Sequence, residues 1–238
     1  MVAGNVRLGT MFMQTHRKSG LTMTTIAVVS AGLSEPSSTR LLADRLGEAT
    51  IAALAAPSPS GLPGGAAHVL HVDLRPLAHE ITDAMLTGFA APALSAAMAT
   101  VVEADALVFV TPIFTAGVSG LAKSFLDVLD KDSLADMPVL LGATGGTARH
   151  SLAIEHALRP VFAYLRAAVV PTGVFAATDD WGSEGDSAAL DGRIRRAGED
   201  LAWAIRASRR TPQEADALPE TADFASLLGG LGHSAVRS

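Results

Sequence analysis

Residues 32–39 read Gly-Leu-Ser-Glu-Pro-Ser-Ser-Thr, set between a short apolar run and a stretch with helical rhythm. Gly32 allows a tight turn, Pro36 fixes the entry, and Ser37, Ser38 and Thr39 offer three hydroxyls. The unpaired amides and positive end of a following helix favour a dianion at such a place. A dinucleotide fingerprint needs G-x-G-x-x-G and a triphosphate loop needs G-x-x-x-x-G-K-[ST], and neither is present. The loop therefore suits a single terminal phosphate, as on a mononucleotide. Simple capping of the helix by Ser37 or Ser38 is the alternative use of the same hydroxyls.

Two further stretches carry residues of use to a flat heterocycle. In "TPIFTAGVSGLAKSFLD" (111–127), Pro112 is expected to stop a strand and Phe114 to project beyond its end. Gly117 and Gly120 permit close backbone approach; an ordinary proline turn with a core phenylalanine is the alternative. In "ATGGTARH" (143–150), Gly145-Gly146 before Thr147 makes a pliable loop whose amides can bond the polar edge of a ring, or a plain connection.

The elements that must bring these stretches together are legible in the periodicity. "TTIAVVS" (24–30), "HVLHVDL" (68–74), "DALVFVTPIF" (105–114), "MPVLLGAT" (137–144) and "VVPTGVFA" (169–176) read as strands. Helices are expected from Ser38 to about Ala56, over "PLAHEITDAML" and "PALSAAMATVVEA", and from Ser119 to Leu129. Two more cover "RHSLAIEHALRPVFAYLRAA", bent at Pro160, and residues 187–207. Breaks near Gly88 and Pro92 separate the second and third helices, and "APSPSGLPGGA" (56–66) is a surface loop.

Strands alternating with helices imply a doubly wound α/β fold, a parallel sheet covered on both faces. Five strands suit the flavodoxin-like order 2-1-3-4-5, or a half-Rossmann order. Ligands in such sheets sit beyond the strands' carboxyl ends at the topological switch point. The three stretches above follow strands one, three and four, so all would lie on one edge of one sheet.

Composition narrows the function classes. The 49% hydrophobic content of 238 residues supports an ample core, and the net charge of −6 argues against a nucleic-acid surface. The absence of cysteine removes disulfides, thiolate metal sites and cysteine nucleophiles, and is compatible with a cytoplasmic location. No run of about 18 apolar residues predicts a membrane helix. Residues 1–23 lack a secretory apolar core and read as a flexible extension, with Met23 a plausible alternative start. A single domain is expected over 24–207, followed by a tail, 208–238, whose "FASLLGGL" (224–231) is apolar enough to dock on another surface such as a neighbouring subunit.

From about Thr25 to Val174 the chain resembles the NAD(P)H-dependent FMN reductases of flavodoxin-like fold. The resemblance is closest to the reductase components of two-component flavin monooxygenase systems. It is strongest in "VSGLAKSFLDVL" and "ATGGTARHSLAIEHALRP". The resemblance implies FMN and NADPH or NADH as cofactors, a homodimer or homotetramer, and transfer of reduced flavin to a separate monooxygenase. It implies that Ser37 and Thr39, with Gly32, Ser34 and Ser38, hold the FMN phosphate. It implies that Pro112, Ile113, Phe114 and Thr115 line the isoalloxazine, and that Thr144, Gly145, Gly146 and Thr147 meet its pyrimidine edge. Many relatives carry arginine in the phosphate loop where Ser34 stands here, with Arg40 close by. Some sulfonate-system reductases carry tyrosine where Val118 stands.

Hydride transfer between nicotinamide and flavin needs no general base, so no catalytic side chain is expected. "GVSGL" is not the hydrolase elbow G-x-S-x-G, and Ser119 is a poor nucleophile candidate. The spacings of His68, His71 and His79, and of His150 and His156, do not suit a metal site. Lys123 and Asp127 read as a helix-surface pair. Trp181, in the acidic stretch 178–186, is expected either to cover a site or to anchor an interface. Two rivals are an FMN-bound quinone or azo-compound reductase and a flavodoxin-type electron carrier. The carrier is disfavoured by an aromatic content of 5%, which leaves Phe114 without an obvious stacking partner.

Overall fold

Strand β1 (Thr24–Ser30) is buried from Ile26 to Ser30, and its side chains divide between two cores. Ile26 and Val28 face one helical layer; Ala27 and Val29 face the other. β3 (Ala106–Phe114) repeats the pattern, with Ala106, Val108 and Val110 on the first side and Leu107 and Phe109 on the second. A strand covered on both faces has no polar side, which is why these strands read as continuous apolar runs. The protein is described here by a computed structural model covering residues 23–57, 64–182 and 184–211.

β2 (Ala67–Asp73), β4 (Gly117–Val118), β5 (Pro138–Gly145), β6 (Ala168–Val169) and β7 (Val174–Ala177) complete the sheet. The order is β2-β1-β3-β5-β6, with β7 also paired to β5 and β4 to β3. All pairings are parallel except β3 with β4. With β6 and β7 counted as one interrupted fifth strand, this is the expected 2-1-3-4-5 order.

Helices α1 (Ser38–Ala55) and α6 (Glu184–Ala207) cover one face, where Leu42 and Leu46 meet Leu190, Ile194 and Leu201. Helices α2 (Ala78–Thr87), α3 (Pro92–Val102), α4 (Gly120–Val128) and α5 (Arg159–Tyr164) lie on the other, around Phe109, Phe125 and Phe162. No single described helix is long and apolar enough to cross a membrane.

Close approach of α1 and α6 depends on Gly198. A Cβ there would stand 2.7 Å from the carbonyl carbon of Ala49. Backbone cannot yield as a side chain does, so Gly198→Val forces the two helices apart. The expected loss is about 1–3 kcal/mol, the usual cost of overpacking. A thermal melt of the variant beside the parent checks this; an unchanged melting temperature would show that the helix pair tolerates separation.

Three expectations need correction. Pro112 does not stop its strand, since it pairs in register with Thr144 and β3 continues to Phe114. β1 leaves the sheet at Ser30, opposite Val110, so β3 is an edge on that side and a missing amide costs no ladder bond. The stretch 149–168 is not one bent helix. A 3-10 turn over Ala148–His150 and a π-helical turn over Ile154–Leu158 precede α5. The Arg159 guanidinium bonds Glu155 (2.6 Å) and the carbonyls of Val170 and Pro171 (both 3.1 Å). This ties the helix start to the break between β6 and β7, so the fifth strand is also split. The Arg159 hydrogen bond, against the opposing effect of burial, lowers the Glu155 carboxyl below its ordinary range. Trp181 closes a 3-10 turn (Thr178–Trp181) that follows β7, partly buried on the α1/α6 core, with the Arg45 guanidinium 5.6 Å above its ring.

The extension 1–22 and the stretch 224–231 lie outside the described residues.

Candidate functional site

At the carboxyl edge of the sheet, the amide of Ala31 still donates to the Val110 carbonyl at 3.0 Å before the chain departs into the hydroxyl-rich loop. Ser37 is the N-cap of α1: its backbone is extended (φ −117°) and its hydroxyl accepts from the Arg40 amide at 3.2 Å. The first intrahelical bond runs from the Leu41 amide to the Ser37 carbonyl at 3.0 Å, so the Ser38 and Thr39 amides precede the helical ladder. Gly32 lies beneath this cap, where a Cβ would come 2.1 Å from Ser37 Oγ. Ser37 caps the helix, while the exposed Ser34 and Ser38 hydroxyls make no hydrogen bond among the described residues.

Thr39 is buried and shares a 2.8 Å hydrogen bond with the buried Thr144 at the end of β5. Thr144 in turn is the register partner of Pro112. One bond and one strand pairing therefore join the start of α1, after the β1 loop, to the ends of β3 and β5, the three places singled out by the sequence. A residue separation of 105 makes the Thr39–Thr144 bond invisible to local patterns.

Arg40 does not turn toward the loop. Its Nε bonds Asp44 at 2.7 Å and an Nη atom contacts Asp73. Burial acts to lower its pKa, but the Asp44 hydrogen bond and the charges of Asp73 and Asp44 outweigh it and raise the value. The cation is thus spent within the α1/β2 layer. An anion at the loop would meet hydroxyls, amides and the helix end instead.

Beyond Pro112 the chain forms a tight hairpin. Ile113 pairs with Val118 and Phe114 with Gly117, leaving Thr115 and Ala116 as the loop. Both have positive φ, 48° and 62°, as a two-residue primed turn requires. Neither is glycine, and a β-branched residue in the left-handed region is strained, a feature common at ligand sites. Phe114 is 49% exposed, so it is not a core residue. Ile113 is buried and anchors the hairpin to the core beneath. The hairpin was not legible in the sequence, because its turn lacks the glycine or asparagine that usually announces one.

The β5 loop is shaped from below. A Cβ on Gly145 would stand 2.9 Å from the Phe175 ring, whereas one on Gly146 would meet open space. Thr147 caps the 3-10 turn by accepting from the Arg149 amide at 3.1 Å. Ser119 is an N-cap for α4, accepting from Ala122 (3.2 Å) and from Thr111 Oγ1 (3.2 Å). Two residues that the sequence did not suggest therefore shape the site: Phe175 under Gly145, and Thr111, which braces the β3 end against α4. Lys123 and Asp127 form the expected surface pair at 2.5 Å. Among the described residues no three His, Asp or Glu side chains gather as a metal site.

Comparison with known proteins accords with this geometry. The family model described as NADPH-dependent FMN reductase matches residues 24–182. An NADH-dependent FMN reductase, SfnE of Pseudomonas putida, is 35% identical over 180 residues, covering 73% of this chain and 88% of its own. An FMN reductase (NADPH) of Pseudomonas aeruginosa is 36% identical over 182 residues, with the same coverage of 73% and 88%. Among solved structures, an oxidoreductase from Corynebacterium diphtheriae superposes with a TM-score of 0.72 at 45% identity, covering 78% of this chain and 98% of that one. The apo form of an NADH:FMN oxidoreductase, EmoB, gives a TM-score of 0.61 at 26% identity, with coverage of 83% and 98%. With its strand order, its three joined loops and a family match that spans the whole sheet, the chain belongs to the NADPH-dependent FMN reductase family.

Proposed function

We propose that the protein reduces FMN with NADPH or NADH and passes the reduced flavin to a separate flavin-dependent monooxygenase. The observation that carries the reading is the joining of three loops at the switch point by Thr39 and Thr144, beside the half-exposed Phe114. The donor set suits a flavin mononucleotide. Ser34, Ser37, Ser38 and Thr39, with Gly32 clearing space, take the phosphate at the start of α1. Pro112, Ile113, Phe114 and Thr115 give a flat apolar edge for the ring. Thr144, Gly145, Gly146 and Thr147 offer amides to its polar edge, and the open space above Gly146 leaves room for close approach.

FMN, when bound, supplies the hydride acceptor. The chain's task is then to bind, orient and keep the ring accessible to nicotinamide. No proton needs to be held by a side chain for that step. Half-exposure of Phe114 and the shallow hairpin leave the ring region open to solvent, which suits a flavin that enters and leaves. The exposed Leu86 and Phe89, flanking the Gly88 turn after α2, support self-association as a dimer or tetramer. A cytoplasmic location is part of the same proposal.

The test is a comparison of electron acceptors. Purified protein is expected to consume NADPH or NADH steadily when free FMN is the only acceptor. Bound flavin with added quinone or azo compound should turn over far more slowly. Faster turnover with quinone would make the protein a quinone reductase. Reduction only by a redox partner, without nicotinamide consumption, would make it an electron carrier.

A further inference from the structure

A second concave surface lies away from the strand ends and shares no residue with the candidate site. It runs between α1 and α6 with a volume of about 1410 Å³. On α1 it is floored by Ala49, Ala52 and Ala53, and by the C-cap Ala56, spaced i, i+3, i+4, i+7 in sequence. Across it, α6 contributes Ala188, Gly192 and Trp203, and the Trp203 side chain is 70% exposed. An indole this open above a floor of alanines is a costly arrangement in water, since each exposed apolar surface forgoes burial. The volume exceeds the roughly 300–1,000 Å³ of an ordinary small-molecule site and fits a peptide segment better.

The end of the described chain says which segment. Trp203 and Ala207 also line a smaller hollow, of about 410 Å³, whose other walls include Ser208, Arg209 and Arg210. The chain therefore leaves the fold at the mouth of the groove. Arg210 pins that exit, donating to the carbonyls of Ala104 (2.7 Å), Val102 (2.8 Å) and Ser133 (3.1 Å). Residues 212–223 follow, then Phe224, Leu227, Leu228 and Leu231, apolar residues at i, i+3, i+4, i+7. Twelve residues span at most about 40 Å. That range covers the groove, because α6 from Ala188 to Ala207 is only about 29 Å long. The linker bears Glu214, Asp216, Glu220 and Asp223 and no basic residue; the groove wall balances Arg45, Arg195 and Arg206 against Glu48, Asp191 and Glu199, and Arg209 at its mouth has no ion-pair partner among the described residues. The apolar spacing of the segment thus repeats the i, i+3, i+4, i+7 spacing of the groove floor.

We propose that the segment Phe224–Leu231 of the same chain docks in the α1/α6 groove, covering Trp203. This docking does not depend on the proposed chemistry.

The natural chain contains no cysteine, which makes directed crosslinking clean. The full-length double variant Ala52→Cys/Leu228→Cys is oxidised mildly and compared with Asp83→Cys/Leu228→Cys, whose first thiol lies on α2 across the sheet. Ala52 and Asp83 are both exposed, so neither change disturbs the core. The groove pair is expected to close an intrachain disulfide about tenfold faster than the control, because docking raises the effective concentration of the two thiols. Peptide mapping after proteolysis identifies the bond. Equal rates for the two pairs would show a tail that does not dock and overturn the proposal. A crosslinked dimer formed by the groove pair would overturn it in favour of a second copy's tail.

Discussion

A chain with Ser37 and Thr39 both replaced by alanine is expected to bind FMN at least tenfold more weakly and riboflavin almost as before. Hydrogen bonds to a charged group contribute about 1.5–3 kcal/mol each, and about 1.4 kcal/mol is a factor of ten in affinity. Two lost donors to the phosphate therefore exceed tenfold with margin, and riboflavin has no phosphate to lose. The structure adds a stability cost that must be separated from the binding loss. Ser37 Oγ caps α1 by accepting from the Arg40 amide, and removing such a cap costs about 0.5–2 kcal/mol. Thr39 Oγ1 holds Thr144, so its loss also loosens the tie between α1 and β5. Calorimetric titration of both flavins, beside a melt of the flavin-free protein, distinguishes these effects. Equal losses for FMN and riboflavin would mean that the loop acts through folding alone.

Two phenylalanines five residues apart on β3 should respond in opposite ways to truncation. Phe109 is fully buried and meets Phe162 edge-on, with ring centres 5.2 Å apart at 64°. Phe109→Ala is expected to cost about 3–5 kcal/mol of stability, through lost burial and the cavity left behind. At about 2–4 °C per kcal/mol for a chain of this size, that is a fall of roughly 10 °C or more. Phe114 projects half-exposed beyond the end of the sheet. Phe114→Ala should leave the flavin-free melting temperature nearly unchanged, while weakening flavin binding and slowing NAD(P)H turnover. Aromatic pairing contributes about 0.5–1.5 kcal/mol beyond area burial, so the affinity loss is of the order of tenfold. A large drop in melting temperature at Phe114 with unchanged flavin affinity would remove the ring from the site.

Strand and helix positions were legible where burial and local chemistry agree. β1 at Thr24–Ser30 and α1 at Ser38–Ala55 fall within a residue of their expected bounds. The first is a β-branched run too short for anything but a buried strand, and the second begins at a serine cap. Where distant contacts overrode local pattern, the expectation failed. Pro112 is a strand breaker by type, yet it sits in β3 because β1 has already ended beside it. Thr115 and Ala116 carry no turn signal, and only the pairing of Phe114 with Gly117 makes them turn. Arg206 at the end of α6 donates to the carbonyls of Ala53, Leu54 and Ala56, closing a helix with no basic residue in its own last turn.

By itself, the sequence determined the alternation of elements, the two-sided burial of the sheet and which loops fall at its carboxyl edge. These follow from side-chain periodicity and from punctuation by glycine, proline and hydroxyl residues, all of them local. Only the tertiary structure decided how the loops meet. It set Thr39 against Thr144, turned Arg40 away to Asp44 and Asp73, and left Phe114 facing solvent. Those outcomes depend on pairings between residues far apart in the chain, where a hydroxyl or a guanidinium takes whichever partner the packed layers bring within 3 Å.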